Sequence, residues 1–102
     1  MKSEHWNDPS GNPAGGFTDG TGFAISWQNG PLGSGADRRE PNGAFVEDVI
    51  KACIDRLDWY QSGKFNCWHN EAALVSLRDA LKALDERTKD RVARGVEGTH
   101  SP

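Results

Sequence analysis

Three arginines near the end of the chain, Arg87, Arg91 and Arg94, stand four and three residues apart, a spacing that puts all three on one face of a helix. A guanidinium offers a planar fork of donors that matches phosphate bidentately. The run Asp85-Glu86-Arg87-Thr88-Lys89-Asp90-Arg91 mixes signs, so its positive field is local and suits a small anionic ligand better than a polymer. An ordinary solvated charged face is the alternative reading of the same residues. Other chemistry is thinly supplied. Cys67-x-His69 is the one close pair of metal-ligating side chains, and His5 and His100 lie too far along the chain to complete a four-ligand zinc site by spacing. Cys67, in a short loop, carries no nucleophile signature beyond proximity to a base. The glycine-rich stretches carry neither the phosphate-loop nor the dinucleotide-binding spacing. The expectation is a binding protein and not an enzyme, with no metal and no cofactor.

Helices must position these residues. Val46, Val49, Ile50, Cys53, Ile54, Leu57 and Tyr60 recur at three- and four-residue steps after Asn42, a good helix cap behind Pro41. On this reading Cys53 is a small core hydrophobe. Phe45, Ala52 and Trp59 form a second stripe, wider than one partner helix covers. Ser62-Gly63 breaks the period. Asn70 then caps a second helix that runs to Arg94 and stops at Gly95, with Leu74, Leu77, Leu81, Leu84 and Thr88 inward. The short connection favours an antiparallel hairpin.

Upstream, Phe23 to Gln28 alternates as a short strand and ends in the turn signal Asn29-Gly30-Pro31. Met1 to Gly22 is rich in Gly, Pro, Asn and Asp and reads as a flexible arm, with Trp6 and Phe17 as isolated aromatics. The expected organisation is therefore a flexible arm over 1–22, a short strand and Gly-rich connector over 23–41, a helical hairpin domain over 42–95 and a tail over 96–102. The fold class expected is mainly α, an antiparallel helical hairpin preceded by a short β region and assembled as a homo-oligomer.

Oligomerisation is expected because 102 residues with 35% apolar content and 12 glycines supply a thin core. A formal net charge of −3 argues against a protein that coats DNA. No apolar stretch has membrane-spanning length, and the N-terminal segment lacks the basic and apolar regions of a signal peptide, so a soluble protein is expected.

One further pattern is more specific. Phe65-Asn66-Cys67-Trp68-His69-Asn70-Glu71-Ala72-Ala73-Leu74, then Leu77, Ala80-Leu81 and Leu84, lead to Arg87-Thr88-Lys89-Asp90-Arg91 and Arg94-Gly95-Val96-Glu97-Gly98-Thr99-His100. Together these resemble the hairpin domain shared by the Thoeris anti-defence and anti-CBASS sponges of phages. Ser26-Trp27-Gln28-Asn29-Gly30-Pro31, Pro41-Asn42-Gly43-Ala44 and Asp55-Arg56-Leu57 are similar to the Thoeris-type member, so the likeness covers roughly residues 23 to 100. Trp68-His69 stands where the family usually has Arg-Glu, and Ala83 where it often has Trp.

The resemblance implies a protein of the host cytoplasm that sequesters a nucleotide second messenger, a cyclic ADP-ribose isomer or a cyclic oligonucleotide, without cleaving it. It carries ligand-site roles to Asn70 and Arg87, and to Tyr60 as a ring that stacks on adenine. Arg91 joins them from the arginine spacing. Asn70 and Arg87 stand seventeen positions apart, about 25 Å along one helix. A site using both is then shared between chains, at a subunit interface of a dimer or larger assembly. The competing reading is a small homo-oligomeric protein-interaction module with no nucleotide ligand.

Overall fold

Strand pairing begins almost at the first residue. A computed structural model describes all 102 residues and contains three strands, β1 (Lys2–Asn7), β2 (Pro13–Gly20) and β3 (Phe23–Trp27), followed by helices α1 (Val46–Gln61) and α2 (Trp68–Ala93). The strands form one antiparallel sheet in the order β1-β2-β3. Ser3 faces Thr18, which faces Ile25, and the register shifts between His5 and Asn7. The expected mainly α fold is thereby corrected: a sheet occupies most of the first 27 residues, two of its strands lie where a flexible arm was expected, and the helical hairpin follows it.

The physical reason lies in the glycines of β2. A Cβ at Gly15 would stand 2.9 Å from the Trp6 ring, and one at Gly20 would overlap the ring of Phe23. Aromatics of the two flanking strands thus lie across bare backbone, a device that stabilises strands whose own side chains are too small to pack. On one face the Trp27 indole N–H donates to Thr18 Oγ1 at 2.9 Å, and that hydroxyl lies 2.8 Å from Ser3 Oγ. These cross-strand links explain how a polar segment orders with little buried apolar surface.

The chain divides into two units, one of Met1–Phe45 with Arg91–Pro102, the other of Val46–Asp90. In the first, the connector after β3 turns back on the sheet. Asn29 N–H donates to Asn42 Oδ1 at 2.8 Å, Asn42 Nδ2 donates to the Asn29 carbonyl at 3.0 Å, and Asn42 N–H donates to Gln28 Oε1 at 2.9 Å. Ala44 then pairs with the end of β3 in a parallel bridge beside Trp27. Asn42 therefore clasps a loop and does not cap a helix; α1 begins four residues later, with Glu47 and Asp48 in its first turn.

In the second unit Arg78 donates to both carboxylate oxygens of Asp58, at 3.0 and 3.3 Å, tying α2 to α1. Val49, Ile50, Ile54, Leu57 and Tyr60 are half-buried along α1, and Leu77, Leu81 and Leu84 along α2. Leu74 alone is fully buried, at 1% exposure. Cys53 and Cys67 are exposed free thiols, so Cys53 is not the core residue its position in the stripe suggests, and Thr88 is exposed as well. The stop at Gly95 is as expected: this glycine has φ +72° and the Val96 N–H returns to the Arg91 carbonyl at 3.0 Å.

Candidate functional site

The turn of the hairpin gathers one group of expected site residues. Tyr60 is the penultimate residue of α1 and Asn70 the third of α2. Between them, Cys67 N–H donates to Gln61 Oε1 at 3.0 Å, Ser62 Oγ donates to the Trp59 carbonyl at 2.7 Å, and Asn66 Nδ2 donates to the Gly63 carbonyl at 3.0 Å. Three side-chain-to-backbone bonds, one of them spanning six residues, make this a fixed turn. The α2 backbone ladder starts with Glu71 N–H donating to the Cys67 carbonyl, so Asn70 sits within the first turn and is not its cap. Its Nδ2 donates to the Phe65 carbonyl at 3.2 Å, which orients the amide.

Aromatic rings surround this turn. Trp59 and Tyr60 meet edge to face with centroids 5.3 Å apart, and Trp68 stacks on His69 at 3.8 Å. Trp59, Phe65 and Trp68 are 61%, 68% and 72% exposed, a density of open apolar rings that soluble surfaces seldom carry unpartnered.

Arg87 lies far along the same helix. The α2 helix is unbroken from Trp68 to Ala93, so Asn70 and Arg87 are held about 25 Å apart in one chain. The Arg87 side chain is exposed and makes no hydrogen bond or ion pair within the chain. Arg91 behaves differently. Its guanidinium donates to the carbonyls of Val96 and Thr99 through Nη2 and of Ser101 and Pro102 through Nη1, at 2.9 to 3.3 Å. The two arginines look equivalent by spacing, but the structure gives Arg91 the work of gathering the tail and leaves Arg87 open. Tyr60 and Asn70 stand on either side of the turn, at the end of α1 and the start of α2, and Arg87 lies about 25 Å from Asn70 along α2.

The tail that Arg91 holds is itself anchored. Arg38 makes a two-point bond to the Glu97 carboxylate at 2.7 and 3.1 Å and donates to the Gly33 carbonyl, while Gly33 N–H donates to the Gly98 carbonyl at 3.0 Å. The Arg38 hydrogen bond holds the Glu97 carboxyl below its ordinary range, with the charges of Arg38 and Arg91 adding to it against a cost of desolvation. The Asp8 carboxyl is also lowered, chiefly by the Asn12 backbone N–H and also by the Ser10 N–H, with a further charge contribution from His100. Glu97 was legible only as part of a motif, and nothing in the spacing pointed to Arg38.

A match to known proteins now joins the geometry. Residues 20–89 match the family model described as "Acb2/Tad1, hairpin domain". The chain belongs to the Acb2/Tad1 hairpin-domain family. Among curated proteins it is similar to "Thoeris anti-defense 1" of Bacillus phage SBSphiJ7, with 41% identity over 76 residues, 74% of this chain and 51% of that protein. The chain thus spans about half the length of the relative it matches. The stretch matched to the Acb2/Tad1 family takes in β3, the Asn42 clasp, α1, the turn and α2 through Arg87. Tyr60, Asn70 and Arg87 all fall inside it, while the tail held by Arg91 falls outside.

Arg56 and Trp59 were missed as site candidates. Arg56 stands three residues before Trp59 and four before Tyr60 within one helix, a signal that could have found them.

Proposed function

We propose that this chain is a phage-type anti-defence protein of the host cytoplasm that binds a small nucleotide messenger of bacterial immunity and holds it unchanged. The observation that carries the reading is the separation on α2: the Asn70 amide near the start of an unbroken helix, across the turn from Tyr60, and an unengaged guanidinium about 25 Å along it. One small nucleotide does not span that length. Two chains packed antiparallel put Asn70 and Tyr60 of one against Arg87 of the other, and two-fold symmetry makes two such sites. In each site the tyrosine ring stacks on a base, the amide reads its edge, and the arginine clamps phosphate.

Family membership and the name of the phage relative support the anti-defence role. The ligand class on this reading is a cyclic ADP-ribose isomer or a cyclic oligonucleotide. The open rings at the turn and the single buried leucine favour an assembly that covers what one chain leaves exposed. Neither DNA nor a membrane is a partner on this reading; the net charge is −3, and no helix is long and apolar enough to cross a membrane. To withhold a messenger from its sensor the protein needs a dissociation constant near nanomolar, roughly −12 kcal/mol.

The test is incubation of purified protein with cyclic ADP-ribose isomers and cyclic di- and trinucleotides, removal of free ligand, then heat release and mass analysis. Recovery of intact ligand is the expected result. Conversion of the ligand overturns the inert-binding reading, and an assembled protein that retains none of the panel favours the interaction module without a nucleotide.

A further inference from the structure

The chain has seven arginines, and five of them are engaged by oxygen acceptors of the protein itself. Arg38 binds Glu97, Arg39 donates to the Pro31 carbonyl, Arg78 binds Asp58, Arg91 holds four tail carbonyls and Arg94 donates to the Pro102 carbonyl. Arg56 and Arg87 are the two that no carboxylate or carbonyl accepts from. Arg56 is also the one placed against aromatic faces. Its guanidinium carbon lies 4.5 Å from the centre of the Trp59 ring and 5.0 Å from that of Tyr60, and Nη2 reaches the Tyr60 hydroxyl at 3.5 Å.

We infer that Arg56, Trp59 and Tyr60 form a single platform for a phosphate and a base, in which Arg56 is a second anion-binding residue and Trp59 a second stacking ring. The inference rests on the messenger reading and deepens it. A guanidinium lying on two rings keeps its plane fixed while most of its N–H donors stay open, so a phosphate meets a preset fork at little entropic cost. Trp59, 61% exposed, offers indole surface beside that charge, and stacking on a ring is available to any base. All three residues stand within one turn of α1, so their relation does not depend on how chains assemble. Tyr60, the penultimate residue of α1, and Asn70, the third of α2, stand on either side of the braced turn. The site then discriminates for ligands with a phosphate next to a base, and against nucleosides.

Calorimetry of the full chain with cyclic ADP-ribose, with cyclic di-AMP and with adenosine as the phosphate-free control tests this. Arg56→Gln is expected to weaken binding of the two phosphate-bearing probes by about tenfold or more, and to flatten the salt dependence of that binding, while adenosine binding stays as in wild type. Arg56→Lys keeps the charge without the planar fork and should fall between. Trp59→Ala should weaken all probes that wild type binds by about tenfold, and Trp59→Phe should recover most of that loss. Both sites are exposed, so helical content and melting temperature serve as the check that the variants fold. Wild-type binding of the phosphate probes that neither Arg56 variant changes, in affinity or in salt dependence, overturns this inference and leaves the messenger reading standing. Wild type that binds none of the probes overturns both.

Discussion

A site shared between two chains has an arithmetic that a site within one chain lacks. Asn70→Ala and Arg87→Ala each remove one half of every proposed site. Loss of a phosphate-clamping guanidinium costs about 3 kcal/mol, which raises a nanomolar dissociation constant by a factor of about 100. Loss of the Asn70 amide removes hydrogen bonds to the base edge and costs about 1–2 kcal/mol. A mixed dimer of the two variants is different. One of its sites carries both defects, and the other carries neither, because the unsubstituted Asn70 of one chain meets the unsubstituted Arg87 of its partner. Verified mixed dimers, isolated with two different affinity tags, should hold about half the wild-type amount of ligand at wild-type affinity. Random assembly from equal co-expression should give about a quarter. Both are read by titration against a retained messenger. Mixed dimers that recover no tight sites would refute the shared site and the argument from helix length behind it.

Three further outcomes follow from particular contacts. Because Arg38 holds the Glu97 carboxyl below its usual value of about 4.5, this pair's contribution is present above that value and is lost as the pH falls through the folded one. Protection of the Gly33 amide against hydrogen exchange should therefore decline as the pH falls below about 5, with a shallower decline in Glu97→Gln; an identical decline in both would exclude the Arg38 latch as its cause. Gly43→Ala sets a Cβ 2.6 Å from the Trp27 carbonyl group and should destabilise the chain by about 1–3 kcal/mol in thermal melting, whereas an unchanged melting temperature would mean the Ala44 bridge is dispensable. Leu74→Ala empties the one fully buried side-chain position and should cost about 2–5 kcal/mol by denaturant titration; a cost under about 1 kcal/mol would show that the hairpin does not depend on that contact.

What could be read from the sequence depended on which physics shaped each segment. The helices were legible because their apolar residues repeat at a helical period, and Leu57, Tyr60, Leu77, Leu81 and Leu84 all fall on half-buried faces. Their starts were misread for one reason in both cases. Asn42 and Asn70 have the right chemistry for a cap, but each amide is engaged elsewhere, by Asn29 and by Phe65, and spacing alone does not reveal a competing partner. The sheet was hidden because β1 and β2 carry few apolar side chains, and composition weighs what a residue buries on its own. Gly15 is covered by the Trp6 ring from nine residues upstream and Gly20 by Phe23 across the β2–β3 turn, cover that depends on strand pairing and not on the glycines' own composition. At the site, Tyr60 and Asn70 could be placed near one turn from their positions alone. The division of labour between Arg87 and Arg91 could not, since it depends on carbonyls of the tail that become acceptors only once the chain folds.

The unbroken course of α2 bears on how this chain can vary in sequence. One residue added or removed between Asn70 and Arg87 moves the arginine by about 1.5 Å along the axis and turns it by about 100° around it. Such a change cannot be absorbed locally, because the helix has no loop between the two positions. The same change in the segment between β3 and α1 falls in irregular chain around a single 3-10 turn, Gly35–Asp37, and leaves the spacing along α2 as it was. Chains that use the same two residues for a ligand should therefore differ in length before α1 and agree in length between Asn70 and Arg87, and ligand range should evolve by substitution on fixed helical positions.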